Sequence, residues 1–291
     1  MAKSSKISGF YKLSVHERLK VLQEQAELSD EDIEVLSNTG ALTLEQADRM
    51  IENVVGTTEY PLGVACNFLV DGKEYLVPMA LEEPSVVAAA SNMAKLARAK
   101  GGFFTSASEP VMIGQIQITD VSDPFFARQA ILARKKEIID LANEQDPVLV
   151  KFGGGARDIN ARVIDSIAGP MVVAHLMVDC RDAMGANAVN TMVEACKPLI
   201  EEITGGKVYL RIITNLAKFR IARARAVFDK KTVGGEDAVE GVIKVYALAL
   251  ADPYRCSTHN KGIMNGIDAV TIATCNDFRA VEAGAHSYAA M

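Results

Sequence analysis

Two adjacent carboxylates precede a predicted helix start. Glu82 and Glu83 are followed by Pro84 and Ser85, and the next segment, 86–100, is rich in Ala, Met, Leu and Lys. The ordinary interpretation is that acidic residues favour the positive end of a helix dipole. The alternative is that one glutamate lies in a dry cleft with a raised pKa, where it donates a proton near neutral pH.

A segment rich in basic and amide side chains lies near the carboxyl end of the sequence. It contains Arg255, His259, Asn260, Lys261 and Asn265. An arginine suits a carboxylate and a lysine suits a developing oxyanion, so the segment is a candidate site for an anionic, carbonyl-bearing ligand. The alternative is a solvated polar loop, and the glycines within it predict a loop over 252–266.

A third candidate site is the segment 178–187, where a predicted strand runs into a glycine-bearing helix start. It reads Val-Asp-Cys-Arg-Asp-Ala-Met-Gly-Ala-Asn, with the glycine in its last six residues, 182–187. Exposed N–H groups at a helix start suit a pyrophosphate. The segment lacks the G-x-G-x-x-G pattern, so the sequence argues against a Rossmann fold.

Three other features have ordinary structural interpretations. Asp277 follows an apolar stretch, where an aspartate is more often a helix cap than a catalyst. His175 lies in an apolar strand and is typical of a core histidine. The three glycines at 153–155 predict a turn, with close approach to a ligand as the alternative.

The composition indicates an ordinary globular protein. The chain has 291 residues, 49% of them hydrophobic, and a net charge of −6, which makes nucleic acid a poor partner. The longest apolar run, 171–178, is too short to cross a membrane, and the amino terminus lacks a secretory pattern. The five cysteines have no paired spacing, which favours free thiols over a zinc site and indicates the cytoplasm.

The order of predicted elements between residues 111 and 213 indicates a domain. Strands are predicted at 112–118, 159–164, 171–178 and 208–213, with helices over 124–143 and 184–203. This β-α-β-β-α-β order is the ferredoxin-like arrangement, in which two helices cover one face of an antiparallel sheet. The predicted fold class is therefore α+β.

The rest of the chain is predicted to be mostly helical. Short helices occupy the first 50 residues, and a β-hairpin covers 62–79 with Asp71 and Gly72 at its turn. Beyond Asn215, helical patterns are predicted over 216–227 and 235–250.

Taken in chain order, these segments resemble the class II hydroxymethylglutaryl-coenzyme A (HMG-CoA) reductases. The segments that carry the resemblance are 52–56, 82–85, 182–187, 259–266 and 276–277. The likeness extends from near residue 10 to the last residue. So many motifs in the order of the family argue against a chance match.

The resemblance implies the reduction of HMG-CoA to mevalonate and coenzyme A by two hydrides from a nicotinamide dinucleotide, or the reverse oxidation, without a metal. Glu83 matches the proton donor of the family, and Lys261 matches the cation that stabilises the oxyanion. Asp277 is expected to hydrogen-bond to that pair and to tune its protonation. The substrate's carboxylate and hydroxyl are expected to contact Ser85, Arg255 and Asn265, and Asn215 matches a position near the catalytic lysine.

The resemblance also implies a dinucleotide site. Asp182, Met184, Gly185 and Asn187 are expected to lie on the dinucleotide. Asp146 matches a position that faces the adenosine ribose in NAD-preferring members, and a carboxylate there repels a 2′-phosphate. NAD is therefore the expected cofactor, with NADP as the alternative.

The family's domain organisation gives the expected boundaries. A small dinucleotide-binding domain, 111–215, is inserted in a large substrate domain formed by 1–110 and 216–291. The active site of the family forms between two subunits, so a homodimer or higher oligomer is expected, with neither a membrane nor a nucleic acid as partner.

The carboxyl end departs from the family pattern. Family members continue beyond residue 291 through a mobile flap that carries the histidine which protonates the departing thiolate, and none of the four histidines here matches it. The expectation is a large domain without that flap. The rival hypothesis is a chain that binds dinucleotide and acyl-CoA without turnover.

Overall fold

The structure, a computed structural model, describes residues 4–291 and divides into two compact units. Unit 1 comprises the chain up to Thr105 together with Ala224–Glu282, and unit 2 comprises Ser106–Arg223 with Ala283–Met291. The last nine residues, 283–291, group with unit 2, and the expected domain boundaries stay a prediction. A Cβ on Gly284 would lie 2.4 Å from the carbonyl oxygen of Asn215, which shows how closely that segment packs.

The regular elements alternate between helices and strands along the chain. The helices are α1 Val15–Ala26, α2 Asp30–Ser37, α3 Leu44–Asp48, α4 Val86–Ala97, α5 Pro124–Ala133, α6 Lys135–Asn143, α7 Pro147–Lys151, α8 Ala186–Thr204, α9 Glu236–Ala251, α10 Pro253–Ala273 and α11 Phe278–Ala289. The strands are β1 Leu62–Val70, β2 Lys73–Ala80, β3 Phe103–Ala107, β4 Val111–Thr119, β5 Gly155–Ile164, β6 Met171–Asp179, β7 Lys207–Ile213 and β8 Ala222–Ala226. Short 3-10 turns occur at Phe10–Lys12 and Arg98–Lys100.

The amino-terminal helices begin at capping boxes. The side chains of Ser14, Ser29 and Thr43 each accept a hydrogen bond from the backbone N–H three residues later. The side chain at that later position accepts a hydrogen bond from the backbone N–H of the serine or threonine. Each box satisfies two otherwise unpaired N–H groups at a helix start. The short helices predicted in this region are therefore confirmed.

One four-stranded sheet has the order β2-β1-β3-β8. Its β1–β2 hairpin turns at Asp71 and Gly72, which both have positive φ, as a two-residue hairpin turn requires. A cluster of Ala65, Met79 and Ala269 lies between this hairpin and α10. The predicted hairpin is confirmed, and α10 and α4 both pack against its sheet.

Unit 2 contains the second sheet, with the order β5-β6-β4-β7 and antiparallel pairing throughout. Its buried core combines residues of the sheet, such as Ile116 and Leu176, with Ile131, Ile138 and Met192 from α5, α6 and α8. Strands and helices follow the ferredoxin-like order, so the predicted α+β fold is confirmed. The helical stretch predicted over 124–143 is divided between α5 and α6.

Two predicted elements are wrong. The stretch 216–227 forms turns and the strand β8 instead of a helix, because its Ala and Arg residues pair with β3. The segment 252–266 belongs to α10 instead of a loop, since the Asp252 carboxylate caps the helix start and Pro253 fits its first turn. The strand β3 was not predicted.

Within the part of the chain that the structure describes, no helix is long and apolar enough to cross a membrane.

Candidate active site

Lys261 and Glu83 form an ion pair. The lysine Nζ donates to Oε2 of the glutamate, although the two residues are 178 positions apart in the sequence. Their side chains are 58% and 41% exposed, so both groups are accessible to a ligand. An exposed pair of this kind contributes little to stability. Its value is that it places an acid directly beside a cation.

The apolar layer of unit 1 positions this ion pair. Glu83 lies in the connection between β2 and α4, and Lys261 lies in the middle of α10. Val86 and Val87 of α4 and Val270 of α10 pack against the same buried cluster on the hairpin sheet. Glu83 and Lys261 lie close together because α4 and α10 pack against the same cluster on the hairpin sheet.

Ser85 adopts a strained backbone conformation beside Glu83. Its φ is 77°, in the left-handed region that a residue with a Cβ seldom occupies. Ser85 is the N-cap of α4, but its side chain makes no capping hydrogen bond. The exposed hydroxyl is therefore accessible to a ligand.

Helix α10 carries three of the predicted site residues. The carboxylate of Asp252 accepts a hydrogen bond of 2.7 Å from the N–H of Arg255 and fixes the start of the helix. Lys261 and Asn265 are one turn apart and share one side of it. Nε of Arg255 is buried without a hydrogen-bond partner among residues 4–291. An unpaired buried N–H is costly, so this atom is suited to an acceptor from outside the chain.

Asp277 lies at the start of α11 and does not contact the ion pair. Its Oδ1 accepts the N–H of Ala280 at 3.1 Å and lies 3.0 Å from Nη2 of Arg279. The expected hydrogen bond from Asp277 to the Glu83 and Lys261 pair is therefore not formed in this structure, because the carboxylate caps a helix and pairs with an arginine. Arg279 was not predicted.

The segment 182–187 forms an exposed turn into α8. Gly185 is the N-cap of the helix, has a φ of 102° and is buried. A Cβ there would lie 2.5 Å from Sγ of Cys180, so the turn requires glycine. Asp182, Met184 and Asn187 are exposed around this backbone. Residues 182–187 thus present a helix start without a side-chain cap, which leaves backbone N–H groups able to bind an anion.

Asp146 and Asn215 also belong to unit 2. Oδ1 of Asp146 accepts the N–H of Leu149 at 2.9 Å and caps the short helix α7. The second carboxylate oxygen accepts no hydrogen bond from the described residues. Asn215 is exposed just after β7, and the structure assigns it to a different unit from Lys261.

A group of charged residues lies beside the 182–187 turn, and two of them, Asp179 and Arg181, belong to the candidate segment 178–187. The buried carboxylate of Asp179 pairs with Arg157 at 3.2 Å and with Arg181 at 2.7 Å. Both guanidinium groups also donate to the carbonyl of Gly153. Arg157 was not predicted, and no pattern in the sequence relates it to this segment. Among the described residues, no group of three or more His, Cys, Asp or Glu side chains is arranged to hold a metal ion.

Comparison with known sequences establishes the family. The family model of hydroxymethylglutaryl-coenzyme A reductase matches residues 14–291. The chain therefore belongs to this family. The 3-hydroxy-3-methylglutaryl-coenzyme A reductase of Archaeoglobus fulgidus is 64% identical over 290 residues, which cover 100% of this chain and 66% of that protein. A probable reductase of Borreliella burgdorferi is 33% identical and matches 82% of this chain and 56% of its own length.

Solved structures agree with the sequence comparison. A reductase from Streptococcus pneumoniae matches with a TM-score of 0.91 and 43% identity, over 97% of this chain and 68% of its own. The class II reductase of the same organism, bound to NADPH in open conformations, matches with a TM-score of 0.92 and 42% identity, over 97% and 78% of the two chains. The fold is that of the class II reductases, and the chain spans about two thirds or less of the curated relatives it matches.

Proposed function

We propose that the protein reduces HMG-CoA to mevalonate and coenzyme A with a reduced nicotinamide dinucleotide, or catalyses the reverse oxidation. The observation that carries this proposal is the ion pair between Glu83 and Lys261. Each residue lies in a segment that resembles a reductase motif, and the fold brings the two segments together. Relatives that are named as HMG-CoA reductases support the same activity.

The ion pair supplies the chemistry of carbonyl reduction. A hydride that reaches the carbonyl carbon leaves negative charge on the oxygen, and the Lys261 ammonium is suited to stabilise that charge. Glu83, beside it, is suited to donate the proton that neutralises the oxyanion. Asp277 is proposed to act on this pair through its charge, since it forms no hydrogen bond to either member.

The substrate is proposed to bind around α10. Arg255 has a buried Nε without a partner in the described chain, which suits the substrate carboxylate. Ser85 and Asn265 are proposed to hydrogen-bond to the same carboxylate and to the tertiary hydroxyl. The assignment of Asn215 to substrate binding rests on the resemblance alone.

The turn at 182–187 is proposed to hold the dinucleotide, which supplies the hydride when bound. The uncapped start of α8 and the glycine at its N-cap suit a pyrophosphate, with Asp182, Met184, Gly185 and Asn187 against it. On this assignment unit 2 is the cofactor domain and unit 1 the substrate domain. The NADPH-bound relative supports a nicotinamide cofactor.

Asp146 is proposed to favour NADH over NADPH. One of its oxygens caps α7, and the other is available to accept a hydrogen bond from the ribose 2′-hydroxyl. A 2′-phosphate at the same place would be repelled. Steady-state kinetics test this preference, and a kcat/KM for NADPH above that for NADH would remove it.

The protein is proposed to work as a homodimer or higher oligomer in the cytoplasm. Val55 in the 52–56 segment is fully exposed, and α9 exposes Ile243, Tyr246 and Leu250. Exposed apolar side chains of this density are typical of an association surface. Sedimentation at several concentrations tests the association.

The activity is tested by following the oxidation of NADH and NADPH in the presence of HMG-CoA. Lys261→Ala and Glu83→Gln are expected to abolish turnover while dinucleotide binding remains, and Lys20→Ala, an exposed lysine on α1, is the control. Activity retained by Lys261→Ala would refute the oxyanion role. Dinucleotide and acyl-CoA binding without turnover by the unaltered chain would favour the rival hypothesis of a binding protein.

A further inference from the structure

Arg220 contacts the backbone of the turn at 182–187. Its Nη1 donates to the carbonyl oxygens of Ala183 at 2.8 Å and of Met184 at 3.2 Å, and Nη2 lies 3.5 Å from the carbonyl oxygen of Arg181. One guanidinium group therefore contacts three carbonyls of a single turn.

The backbone on either side of Arg220 is itself fixed. Oγ of Ser108 donates to the carbonyl of Phe219 at 2.7 Å and accepts the N–H of Ile221 at 2.8 Å. The N–H of Ser108 also donates to the carbonyl of Ile221 at 2.9 Å. Arg220 is half-buried. Arg220 therefore contacts the turn from a backbone segment that hydrogen bonds to Ser108 hold in place on both sides.

The contacts of Arg220 fix the direction of the peptide groups in the turn. In a trans peptide the C=O of one residue and the N–H of the next point in opposite directions. Because the carbonyls of Ala183 and Met184 face Arg220, the N–H groups of Met184 and Gly185 point away from it. These two N–H groups donate to no recorded acceptor within residues 4–291.

We infer that Arg220 is a positioning residue, which directs the amides of Met184 and Gly185 away from its own guanidinium group so that they can receive the pyrophosphate of the dinucleotide. This inference rests on the proposed function of the 182–187 turn. Two left-handed residues bracket the turn: Arg181 at φ 50°, which is costly for a residue with a Cβ, and Gly185 at φ 102°, which glycine adopts freely. The guanidinium group of Arg220, beside the carbonyl oxygens of Ala183 and Met184, stabilises this backbone conformation.

An arginine suits this role better than a lysine. The planar guanidinium presents five donors in a fixed fork, whereas a lysine ammonium is a single point charge on a flexible stem. Arg220→Lys therefore keeps the charge but contacts fewer carbonyls. Arg220→Met removes both the charge and the donors and keeps much of the apolar stem.

The test compares Arg220→Met and Arg220→Lys with the control Arg223→Met, since Arg223 is exposed and makes no hydrogen bond to the turn within the described chain. Calorimetry measures the affinity of the intact chain for NADH, for ADP-ribose, which has the pyrophosphate, and for adenosine, which has no phosphate. For Arg220→Met we expect a loss of roughly tenfold or more for NADH and ADP-ribose, the scale of one charged hydrogen bond. Adenosine binding is expected to stay unchanged, and Arg220→Lys is expected to recover part of the loss.

Amide exchange without ligand gives a second measurement. Ala183 donates to the carbonyl of Cys180 and Val189 donates to that of Gly185, so both amides report on the shape of the turn. Faster exchange of these amides in Arg220→Met, with Arg223→Met unchanged, supports the inference.

The inference is overturned if Arg220→Met binds NADH as tightly as the unaltered chain, or if it loses affinity for adenosine as much as for NADH. The second result would show a general structural role. A failure of the proposed function has a different signature, because the unaltered chain would then bind neither NADH nor NADPH.

Discussion

Arg98 binds Glu74 through both of its terminal nitrogens. Nη1 donates to Oε2 at 2.8 Å and Nη2 donates to Oε1 at 2.7 Å. The N–H of Ser5 donates to the same carboxylate at 2.9 Å, which ties the amino-terminal segment to β2. The hydrogen bond from Arg98 is the main reason why the pKa of Glu74 falls from 4.5 to about 2.

This pair predicts a pH-dependent contribution to stability. Since the pKa of Glu74 is lower in the folded chain than in the unfolded chain, the contribution is complete above pH 4.5 and is lost as the pH falls toward 2. Glu74→Gln is expected to lower the free energy of unfolding by about 2–3 kcal/mol at neutral pH. Urea unfolding measured from neutral to acid pH tests this, with the exposed Glu24→Gln as control. A difference between the variant and the unaltered chain that is independent of pH would contradict it.

The cysteines are expected to differ in reactivity. Burial raises the pKa of the Cys196 thiol to about 12 and raises the pKa of the buried thiols Cys66 and Cys180, whereas Cys275 is exposed. Because the thiolate is the reactive form, Cys275 is expected to be alkylated first in the folded chain and Cys196 only on unfolding. Mass spectrometry after timed iodoacetamide treatment measures the order. Cys275→Ser removes the first site, and rapid labelling of Cys196 in the folded chain would refute the prediction.

Gly114 lies where α8 crosses β4, and a side chain there does not fit. A Cβ would lie 2.4 Å from Cγ1 of Val193 and 2.9 Å from Cγ1 of Val189. Gly114→Ala is expected to lower the free energy of unfolding by about 1–3 kcal/mol through overpacking. Adding Val193→Ala is expected to recover part of that loss, because it removes the atom that clashes.

The matched control for Gly114 is Gly241, in the interior of α9. A Cβ on Gly241 meets nothing within 4 Å. Gly241→Ala is expected to raise the free energy of unfolding by up to about 1 kcal/mol, since alanine favours a helix more than glycine does. Denaturant unfolding measures both changes. The same sign at both positions would contradict the packing argument.

Asp277 offers a way to separate stability from catalysis. An asparagine also caps a helix, so Asp277→Asn is expected to leave the melting temperature nearly unchanged. Asp277→Ala is expected to cost about 1 kcal/mol through the lost cap. If the charge of Asp277 acts on the ion pair of Glu83 and Lys261, both variants lower kcat. Full activity of the Asp277→Asn variant would show that Asp277 acts only as a helix cap.

Elements with a clear local pattern were predictable from the sequence. The β1–β2 hairpin has alternating apolar residues and an Asp-Gly turn, and the ferredoxin-like unit has apolar strands separated by amphipathic helices. In both cases the local pattern and the tertiary structure favour the same conformation. The caps at Ser14 and Ser29 are equally local.

Elements without such a pattern were not predictable. The strand β8 reads Ala-Arg-Ala-Arg-Ala, and its conformation depends on its pairing with β3. The glycines of α10 indicated a loop, although the cap at Asp252 and the packing of Met264 and Ala269 favour a helix. In both β8 and α10, tertiary contacts outweighed the local sequence preference and determined the conformation.

The candidate site residues are predictions from the resemblance, and their arrangement in space could not be predicted from local sequence patterns. The proximity of Glu83 to Lys261 was expected from the resemblance alone, because nothing local relates residues so far apart. The role inferred for Arg220 depends on the direction of three carbonyl groups, which no sequence pattern reports. The helix cap formed by Asp277 was the ordinary interpretation, and it describes the contact that the structure shows.

The hydrogen bonds between Ser108 and the residues around Ile221 also have a consequence for how the chain folds. They join the two ends of the continuous segment that forms most of unit 2. Without them, contact between Glu83 and Lys261 would close a loop of 178 positions, and the entropy cost of closure increases with loop length. Once the inserted segment has folded, its ends are held together, and the loop that remains to be closed is much shorter. Folding of unit 2 thus lowers the entropy cost of assembling the ion pair in unit 1.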